Sequence, residues 1–268
     1  MIDTAGNVSV LCVVVHVSGV TLLHDVVYVV CSLYSTITRF NATTHQPLTS
    51  IDVKDLRSPW DIVACERTSQ LYVADVQYVL QVSPDGPDIK RWLPKSPDDT
   101  LKPTTLSVTS TRLLVTSRDT RQLRQFDADG DELRRVQLPD HMAPRHAVES
   151  PTGTFIVSRK NTQLEQYQVV EVNIGGEVLR QFSGSRLTSL GRTEHVAVDS
   201  HGNIFVADED NCHILLLDDH LSLRRVIIDE HQLNYEWPWR LCYREDKGQL
   251  LVGLFRGGKV AVFDVLCR

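Results

Sequence analysis

The sequence Phe205-Val-Ala-Asp208 has five counterparts elsewhere in the chain. Each is a short apolar phrase bounded by polar residues, and successive copies start about 45 residues apart on average, a spacing typical of the blades of β-propellers. Six periods of this length account for all 268 residues. The other copies are Tyr28-Val-Val-Cys31, Tyr72-Val-Ala-Asp75, Leu114-Val-Thr-Ser117, Phe155-Ile-Val-Ser158 and Leu251-Val-Gly-Leu254.

The segments around each phrase predict four short strands per repeat. An apolar segment precedes the phrase, as in His195-Val-Ala-Val198, and two further alternating segments follow it. Tight-turn residues separate the segments, for example Ser83-Pro-Asp-Gly86. The sequence therefore predicts an all-β fold, a six-bladed β-propeller with four-stranded blades. A pair of stacked β-sandwiches built from similar strands is the alternative.

The two ends of the chain supply parts of one blade. Residues 2–17 align with 126–131 and the strand that follows, so the chain starts inside a repeat, and it ends on a third strand at 259–264. We therefore predict that the N-terminal strand completes the C-terminal blade, which removes an exposed sheet edge. The predicted boundaries are one propeller domain over 1–268, with the closing strand at 1–17 and blades at about 18–57, 58–100, 101–141, 142–192, 193–235 and 236–268.

Composition and cysteine usage exclude several classes of protein. The 28 Lys and Arg residues against 34 Asp and Glu give a net charge of -6, which argues against a uniformly basic surface that binds polyanions. The 6 cysteines include no C-x-x-C pair. The apolar segment near the N-terminus is too short for a membrane span, and no Lys or Arg precedes it as in a secretory signal. We therefore expect a cytoplasmic protein without a membrane partner.

Two repeats carry a recognisable signature. The stretch Glu194-His-Val-Ala-Val-Asp-Ser-His-Gly-Asn-Ile-Phe-Val-Ala-Asp208, and Pro59-Trp-Asp-Ile-Val-Ala64 with Leu71-Tyr-Val-Ala-Asp75, resemble the NHL repeat. The other four repeats keep the apolar frame and lose the Asp and Asn. The chain resembles the C-terminal propeller of tripartite-motif NHL proteins, which implies a substrate- or RNA-recognition module of a ubiquitin ligase. No Cys/His cluster with RING or B-box spacing is present, so ligase activity is not expected of this chain itself.

Two histidines are the candidates for metal chemistry. His146 and His195 lie at the starts of predicted innermost strands, and in the amidating lyase, a six-bladed propeller of similar architecture, histidines at such places hold zinc. A catalytic zinc site usually has three protein ligands, and the matching places in other blades are expected to hold Trp60, Thr104 and Trp239. We therefore predict no metal, no cofactor and no catalytic residue. The chain is expected not to be an enzyme, and a metal-dependent lyase or hydrolase is the less favoured alternative.

Loop positions sort the charged residues onto two faces of the propeller. Loops between strands 2 and 3 and between blades form one face, which is rich in arginine, whereas most acids lie on the other face, which should repel nucleic acid. Trp60 and Trp239 stand beside Arg57 and Arg240, and planar surfaces next to cations suit both protein hot spots and single-stranded RNA. For the two tryptophans, packing between blades is the alternative.

We therefore predict that the arginine-rich face binds a protein partner, with sequence-selective binding of single-stranded RNA as the alternative. As an isolated domain the chain is expected to be monomeric. The predicted binding residues are Arg57, Trp60, Arg118, Arg121, Arg145, His146, Arg159, Lys160, Trp239, Arg240, Arg256 and Lys259.

Overall fold

Six four-stranded antiparallel sheets form the blades of a closed ring. The computed structural model describes residues 9–12, 16–94, 100–109, 112–184 and 189–265. The innermost strand of each blade contacts the innermost strands of both neighbouring blades, including those of the first and last blades. The predicted all-β six-bladed propeller is confirmed.

The strands are numbered in chain order. The closing strand and blades 1 to 3 comprise β1 (Ser9–Cys12), β2 (Val17–Leu23), β3 (Val26–Cys31), β4 (Thr36–Asn41), β5 (Pro47–Asp52), β6 (Asp61–Cys65), β7 (Gln70–Ala74), β8 (Val79–Val82), β9 (Ile89–Leu93), β10 (Thr105–Thr109), β11 (Arg112–Ser117), β12 (Gln122–Phe126) and β13 (Glu132–Gln137). Blades 4 to 6 comprise β14 (Met142–Glu149), β15 (Phe155–Asn161), β16 (Gln166–Val172), β17 (Val178–Phe182), β18 (Thr193–Val198), β19 (Ile204–Asp208), β20 (His213–Leu217), β21 (Leu223–Ile228), β22 (Pro238–Arg244), β23 (Gln249–Leu254) and β24 (Lys259–Asp264).

The first strand of the chain closes the last blade. β1 pairs antiparallel with β24, from Ser9 opposite Val262 to Cys12 opposite Lys259. It forms the outermost strand of blade 6. Leu11 on this strand is 1% exposed and packs in a core cluster with Val260. Burial of an apolar side chain on the added strand accounts for its attachment. The described closing strand ends at residue 12, and residue 17, which the sequence analysis assigns to it, starts β2.

The hydrophobic core lies between adjacent blades. Strands 1 to 3 of each blade are rich in valine, isoleucine and leucine, and their alternating side chains pack against the neighbouring blade on either side. Phe205 of blade 5, for example, packs with Leu250 and Val252 of blade 6. Most residues of outer strands such as β17 are exposed. The described residues contain one short 3-10 helix, Glu245–Lys247, and no helix long and apolar enough to cross a membrane.

The signature aspartates hold loops in place. The Asp75 carboxylate accepts the backbone N–H groups of Arg57 and Ser58, at 2.9 and 2.8 Å, and so fixes the loop that enters blade 2. Asp208 accepts the backbone N–H of Gly191 at 3.1 Å in the same way in blade 5. Short carboxylate side chains commonly satisfy loop N–H groups in this manner. These two residues therefore serve the fold at the edge of the predicted binding face.

Candidate functional site

One layer of six side-chain positions crosses the central channel. The positions lie at the same rung of the six innermost strands. In five blades the layer residue is paired with the residue one before the last of the repeat phrase, as His195 is with Ala207, and in blade 4 His146 is paired with Ser158, the last residue of its phrase. In four blades one extra residue bulges just before this rung, for example Glu194 in blade 5. The channel layer consists of Gly19, Asp61, Thr105, His146, His195 and Arg240.

The strand pairing corrects the expected level of the inner-strand residues. Asp61, Thr105 and Arg240, rather than Trp60, Thr104 and Trp239, lie level with the two histidines. The sequence spacing alone does not reveal this level, because the layer residue and its partner on the next strand are 11 to 13 residues apart in different blades.

A buried ion pair spans the channel layer. The Arg240 Nε lies 3.6 Å from Asp61 Oδ1, and both side chains are at most 3% exposed. Arg240 also donates to the carbonyl oxygens of Trp60 and Trp239, at 2.9 and 3.1 Å. Burial raises the pKa of Asp61 to about 6, although Arg240 opposes the shift. The guanidinium thus ties blade 6 to blade 2 across blade 1, where the layer residue is Gly19.

The two histidines are stacked and neutral. Their ring centroids lie 3.6 Å apart. The Nδ1 of His146 accepts the Val196 N–H at 3.4 Å, and its Nε2–H donates to the Leu106 carbonyl at 3.0 Å. His195 Nδ1 accepts the Leu241 N–H at 3.4 Å. Burial lowers the pKa of His146 to about 3 and holds the pKa of His195 well below its usual value, helped by His146 and Arg240. Each ring links its blade to the next.

The channel layer fits this linking role better than metal coordination. Ligand atoms of Asp61, His146 and His195 lie within 4.8 Å of one another, which is close enough for one ion. The Asp61 oxygens, however, accept the N–H groups of Ile62 and Leu106, each at 2.9 Å, and both ring nitrogens of His146 are hydrogen bonded. A cation would also face the guanidinium of Arg240. The Asp61 oxygens, both ring nitrogens of His146 and the Nδ1 of His195 are therefore already hydrogen bonded to backbone groups.

Above the layer, a cluster of charged side chains, three of them largely buried and Arg192 42% exposed, lines the mouth of the channel at blades 4 and 5. Arg145 Nη1 lies 3.3 Å from Glu194 Oε1, and Arg192 Nη1 lies 3.3 Å from Glu209 Oε1. Glu209 is 1% exposed, and its second oxygen has no hydrogen-bond partner in the described part of the chain. Burial raises the pKa of Glu209 to about 7, with Arg192 opposing and Glu194 contributing to the rise.

Glu194 and Glu209 are not among the binding residues predicted from the sequence. Glu194 occupies a bulge and Glu209 follows the phrase of blade 5, so both lie outside the regular positions of the repeat. The departure from the repeat is the signal that could have identified them. We call Arg145, Arg192, Glu194 and Glu209 the mouth cluster.

A groove on the same face runs between blades 2 and 3. It has a volume of about 330 Å³. The Trp60 side chain on its wall is 44% exposed and Val76 is 47% exposed. Arg118 lies on the opposite wall, and its pKa is lowered by burial and by the nearby Arg145. Lys102, at the same wall, pairs with Asp119 at 3.3 Å. An apolar surface therefore adjoins cationic groups.

An aromatic platform lies on blade 6. The Phe255 ring is stacked on His16, with centroids 4.6 Å apart, and is tilted against Trp239 at 4.5 Å. The Arg256 guanidinium lies 3.4 Å from the centroid of Trp237. Trp239 and Trp237 are both partly buried, so Trp239 packs within this platform and also presents surface to solvent. The platform combines rings with a cation.

The remaining predicted residues are distributed around this face rather than gathered at one point. Arg121 pairs with Asp140 at 2.9 Å, and Lys259 pairs with Glu236 at 3.7 Å. Lys160 pairs with Glu165 on its own hairpin.

Three of the predicted residues differ sharply in exposure. Arg57 is exposed. Arg159 and His146 are buried, at 3% and 1% exposure. The structure brings together Arg118 and Arg145, and separately Trp239 and Arg256 through the platform rings.

Solved structures with the same fold include enzymes. No protein-family model matches the sequence, and no curated protein matches it. A streptogramin B lyase structure is 10% identical with a TM-score of 0.69, covering 99% of this chain and 100% of that one. A catalytically inactive variant of virginiamycin B lyase from Staphylococcus aureus, solved with quinupristin, is 12% identical with a TM-score of 0.64, covering 96% and 80%. Hydrazine synthase from Kuenenia stuttgartiensis is 14% identical with a TM-score of 0.65, covering 93% and 84%.

These similarities establish the fold and correct one prediction. The expectation that the chain is not an enzyme is wrong as an inference from its architecture, because lyases share this propeller along nearly the whole chain. Neither the fold nor the incomplete zinc set excludes catalysis. The six-bladed propeller is also compatible with a binding module.

Proposed function

We propose that this chain is an NHL-type recognition propeller that binds a protein partner through the face carrying the groove and the mouth cluster. The observation that carries the proposal is the half-exposed Trp60 beside Arg118, in a groove of about 330 Å³. Tryptophan and arginine are among the residues most enriched at protein-binding hot spots. The signature of the NHL repeat in blades 2 and 5 supports the family assignment.

Charge favours a protein over RNA as the partner. Cations on this face are largely neutralised by neighbours, as in the pairs Lys102–Asp119 and Arg145–Glu194. The loops on the opposite face carry exposed acids, including Asp85. Binding to single-stranded RNA rests on unpaired phosphate contacts and stacked bases, and paired cations contribute little to it. A mixed surface instead matches the polar rim of a protein interface.

A peptide array tests the proposal. The full chain is probed against immobilised 12-residue peptides, and peptides that bind are measured in solution with Trp60→Ala and Arg118→Glu. We expect each variant to lose tenfold or more in affinity, since these side chains line the groove. Arg224→Glu, on an exposed part of the outer strand β21, is the matched control and should bind normally.

RNA is the competing outcome of the same experiment. Affinity for a pool of single-stranded RNA is measured across a salt series. Tight binding with a steep loss in salt, together with no bound peptide, would replace the protein partner by RNA. Peptide binding that is unchanged in both groove variants would remove this face from the proposal.

Acid–base catalysis at the mouth cluster is a second candidate function. It is favoured by Glu209, a buried carboxylic acid whose pKa of about 7 suits a group that exchanges a proton at neutral pH. Quinupristin, with which the similar virginiamycin B lyase variant was solved, is the first compound to test as a substrate. Incubation of the chain with quinupristin, followed by chromatography, should show turnover that Glu209→Gln abolishes. An unchanged chromatogram after prolonged incubation would remove quinupristin as a substrate.

A further inference from the structure

Arg159 is a buried cation without a counter-charge. The residue is 3% exposed, and neither Nε nor Nη1 has a hydrogen-bond partner in the described part of the chain. No ion pair to its guanidinium is formed among the described residues either, and burial alone lowers the pKa of the group. An isolated buried charge is among the most costly features a fold can carry, and such groups are normally paired. The missing partner therefore needs an explanation.

The position of Arg159 in the repeat is a second unusual feature of this buried, unpaired cation. It lies two residues before the end of β15, opposite Pro144, and one residue after the rung shared with His146. The same position holds Asp75 in blade 2 and Asp208 in blade 5, whose carboxylates accept loop N–H groups. Blade 4 thus has a cation where these blades have an anion. Blades 1, 3 and 6 have Cys31, Ser117 and Leu254 at this position, so blade 4 differs from every other blade in placing a cation there.

Strand alternation shows which way the side chain faces. Phe155 and Val157 lie on the same face of β15 as Arg159, and both pack in the core cluster shared with Leu114 of blade 3. Gln168, paired directly opposite on β16, is 2% exposed, and its side-chain oxygen is also unpartnered. Arg159 therefore points between blades 3 and 4, beneath the loops at residues 118–121 and 162–165 on the predicted binding face.

We propose that Arg159 receives a carboxylate from the protein partner, inserted between these two loops. The inference rests on the proposed function and names the chemistry of the partner: an aspartate, a glutamate or a C-terminal carboxylate. A planar carboxylate matches the planar guanidinium in size and hydrogen-bonding geometry. The adjacent loop of blade 3 carries a further exposed cation, Arg118, which attracts the same segment. The unbound protein holds the cation ready at a cost in its own stability.

The proposal predicts that removing the arginine stabilises the chain and weakens binding at once. Arg159→Met deletes the unpaired charge while retaining an apolar stem, so we expect the melting temperature to rise by about 2–6 °C. The best acidic peptide from the array should lose tenfold or more in affinity. Arg224→Met, at an exposed arginine on β21, should change neither quantity. A lower melting temperature for Arg159→Met would overturn the proposal, because it would show that the guanidinium is already satisfied.

Free anions probe the site without any partner. Melting is followed in sodium acetate, sodium phosphate and sodium chloride at matched ionic strength. Acetate should raise the melting temperature of the wild type more than that of Arg159→Met, because a ligand that binds only the folded state stabilises it. A selective effect of phosphate alone would contradict the carboxylate and point to a phosphate ligand. Equal effects of all three salts on both proteins would contradict an anion site.

Changes to the peptide separate this inference from the proposed function. Each acidic residue of a bound peptide is replaced in turn by its amide, which leaves the propeller untouched. Loss of binding at one position in the wild type, with no further loss in Arg159→Met, supports a direct pair. If peptides bind and respond to Trp60→Ala but to none of the amide replacements, the proposed function stands and the carboxylate site is wrong. If no peptide binds, the proposed function fails, and the salt measurements still decide whether Arg159 takes an anion.

Discussion

Replacing Arg240 by methionine tests the ion pair that crosses the channel. The substitution keeps a long side chain but removes the guanidinium that lies 3.6 Å from Asp61 and donates to two backbone carbonyls. Asp61 then remains buried without its cation. Removing one partner of a buried pair costs about 3–5 kcal/mol, and the melting temperature falls by about 2–4 °C for each kcal/mol. We therefore expect Arg240→Met to be strongly destabilised at neutral pH.

The pH dependence identifies the carboxylate as the cause. The pKa of Asp61 is raised from 3.8 to about 6 in the folded chain, so its contribution to stability is greatest below pH 3.8 and is lost as pH rises towards 6. Without Arg240 the folded pKa rises further, and the loss continues above pH 6. The destabilisation caused by Arg240→Met should therefore be larger at pH 8 than at pH 5.

Urea unfolding at pH 5 and pH 8 measures both effects. Lys102→Met is the control, because it breaks an exposed pair with Asp119 and should change the free energy of unfolding by less than about 1 kcal/mol. The double variant Asp61→Leu with Arg240→Met should recover part of the loss, since no unpaired charge remains. A loss below about 1 kcal/mol at pH 8, or an equal loss at both pH values, would refute the reasoning.

Three further predictions concern the ring and its closure. Gly19→Ala should destabilise the chain by about 1–3 kcal/mol in urea unfolding, because the added Cβ would lie 2.6 Å from a backbone nitrogen of blade 2, whereas Gly175→Ala, whose nearest contact is a side-chain oxygen at 3.3 Å, should be nearly neutral. His146 should stay neutral from pH 8 to pH 5 by NMR, since its pKa is about 3, and a titration near pH 6.5 would contradict the hydrogen bonding described above. Leu11→Ala should cost about 2–5 kcal/mol and Val10→Ala, at 47% exposure, much less, and equal losses would argue against the closing strand.

The fold could be predicted because each blade buries the same apolar phrase against its neighbours, and this phrase recurs in the sequence. The phrase that contains Phe205 and its counterparts recurs wherever an inner pair of strands is buried on both sides, so six copies predict six blades. The closing strand was also predictable, because a chain that starts within one repeat and stops within another leaves one strand to be supplied. The number of blades and the closure of the ring were therefore both predictable from the repeat.

The candidate site was less predictable because it depends on departures from the repeat. The bulge takes Glu194 out of the regular pairing between β18 and β19, and it cannot be read from spacing. Glu209 and Arg159 gain their character from burial and from the presence or absence of an opposite charge, and a linear sequence does not specify either. The sequence predicted that arginine is common on the predicted binding face. It did not predict which of these cations form ion pairs with acidic side chains and which remain available to a partner.

The strand that closes the ring also constrains the order in which the chain folds. β1 and β24 lie near opposite ends of the described residues, so their pairing is a contact of very long sequence separation and closes a very long loop. During synthesis, the first strand must wait until the final blade has emerged. Until then, the unpaired edge of β24 can pair with the first strand of another copy of the chain. High protein concentration during refolding should therefore favour strand-swapped dimers over closed monomers.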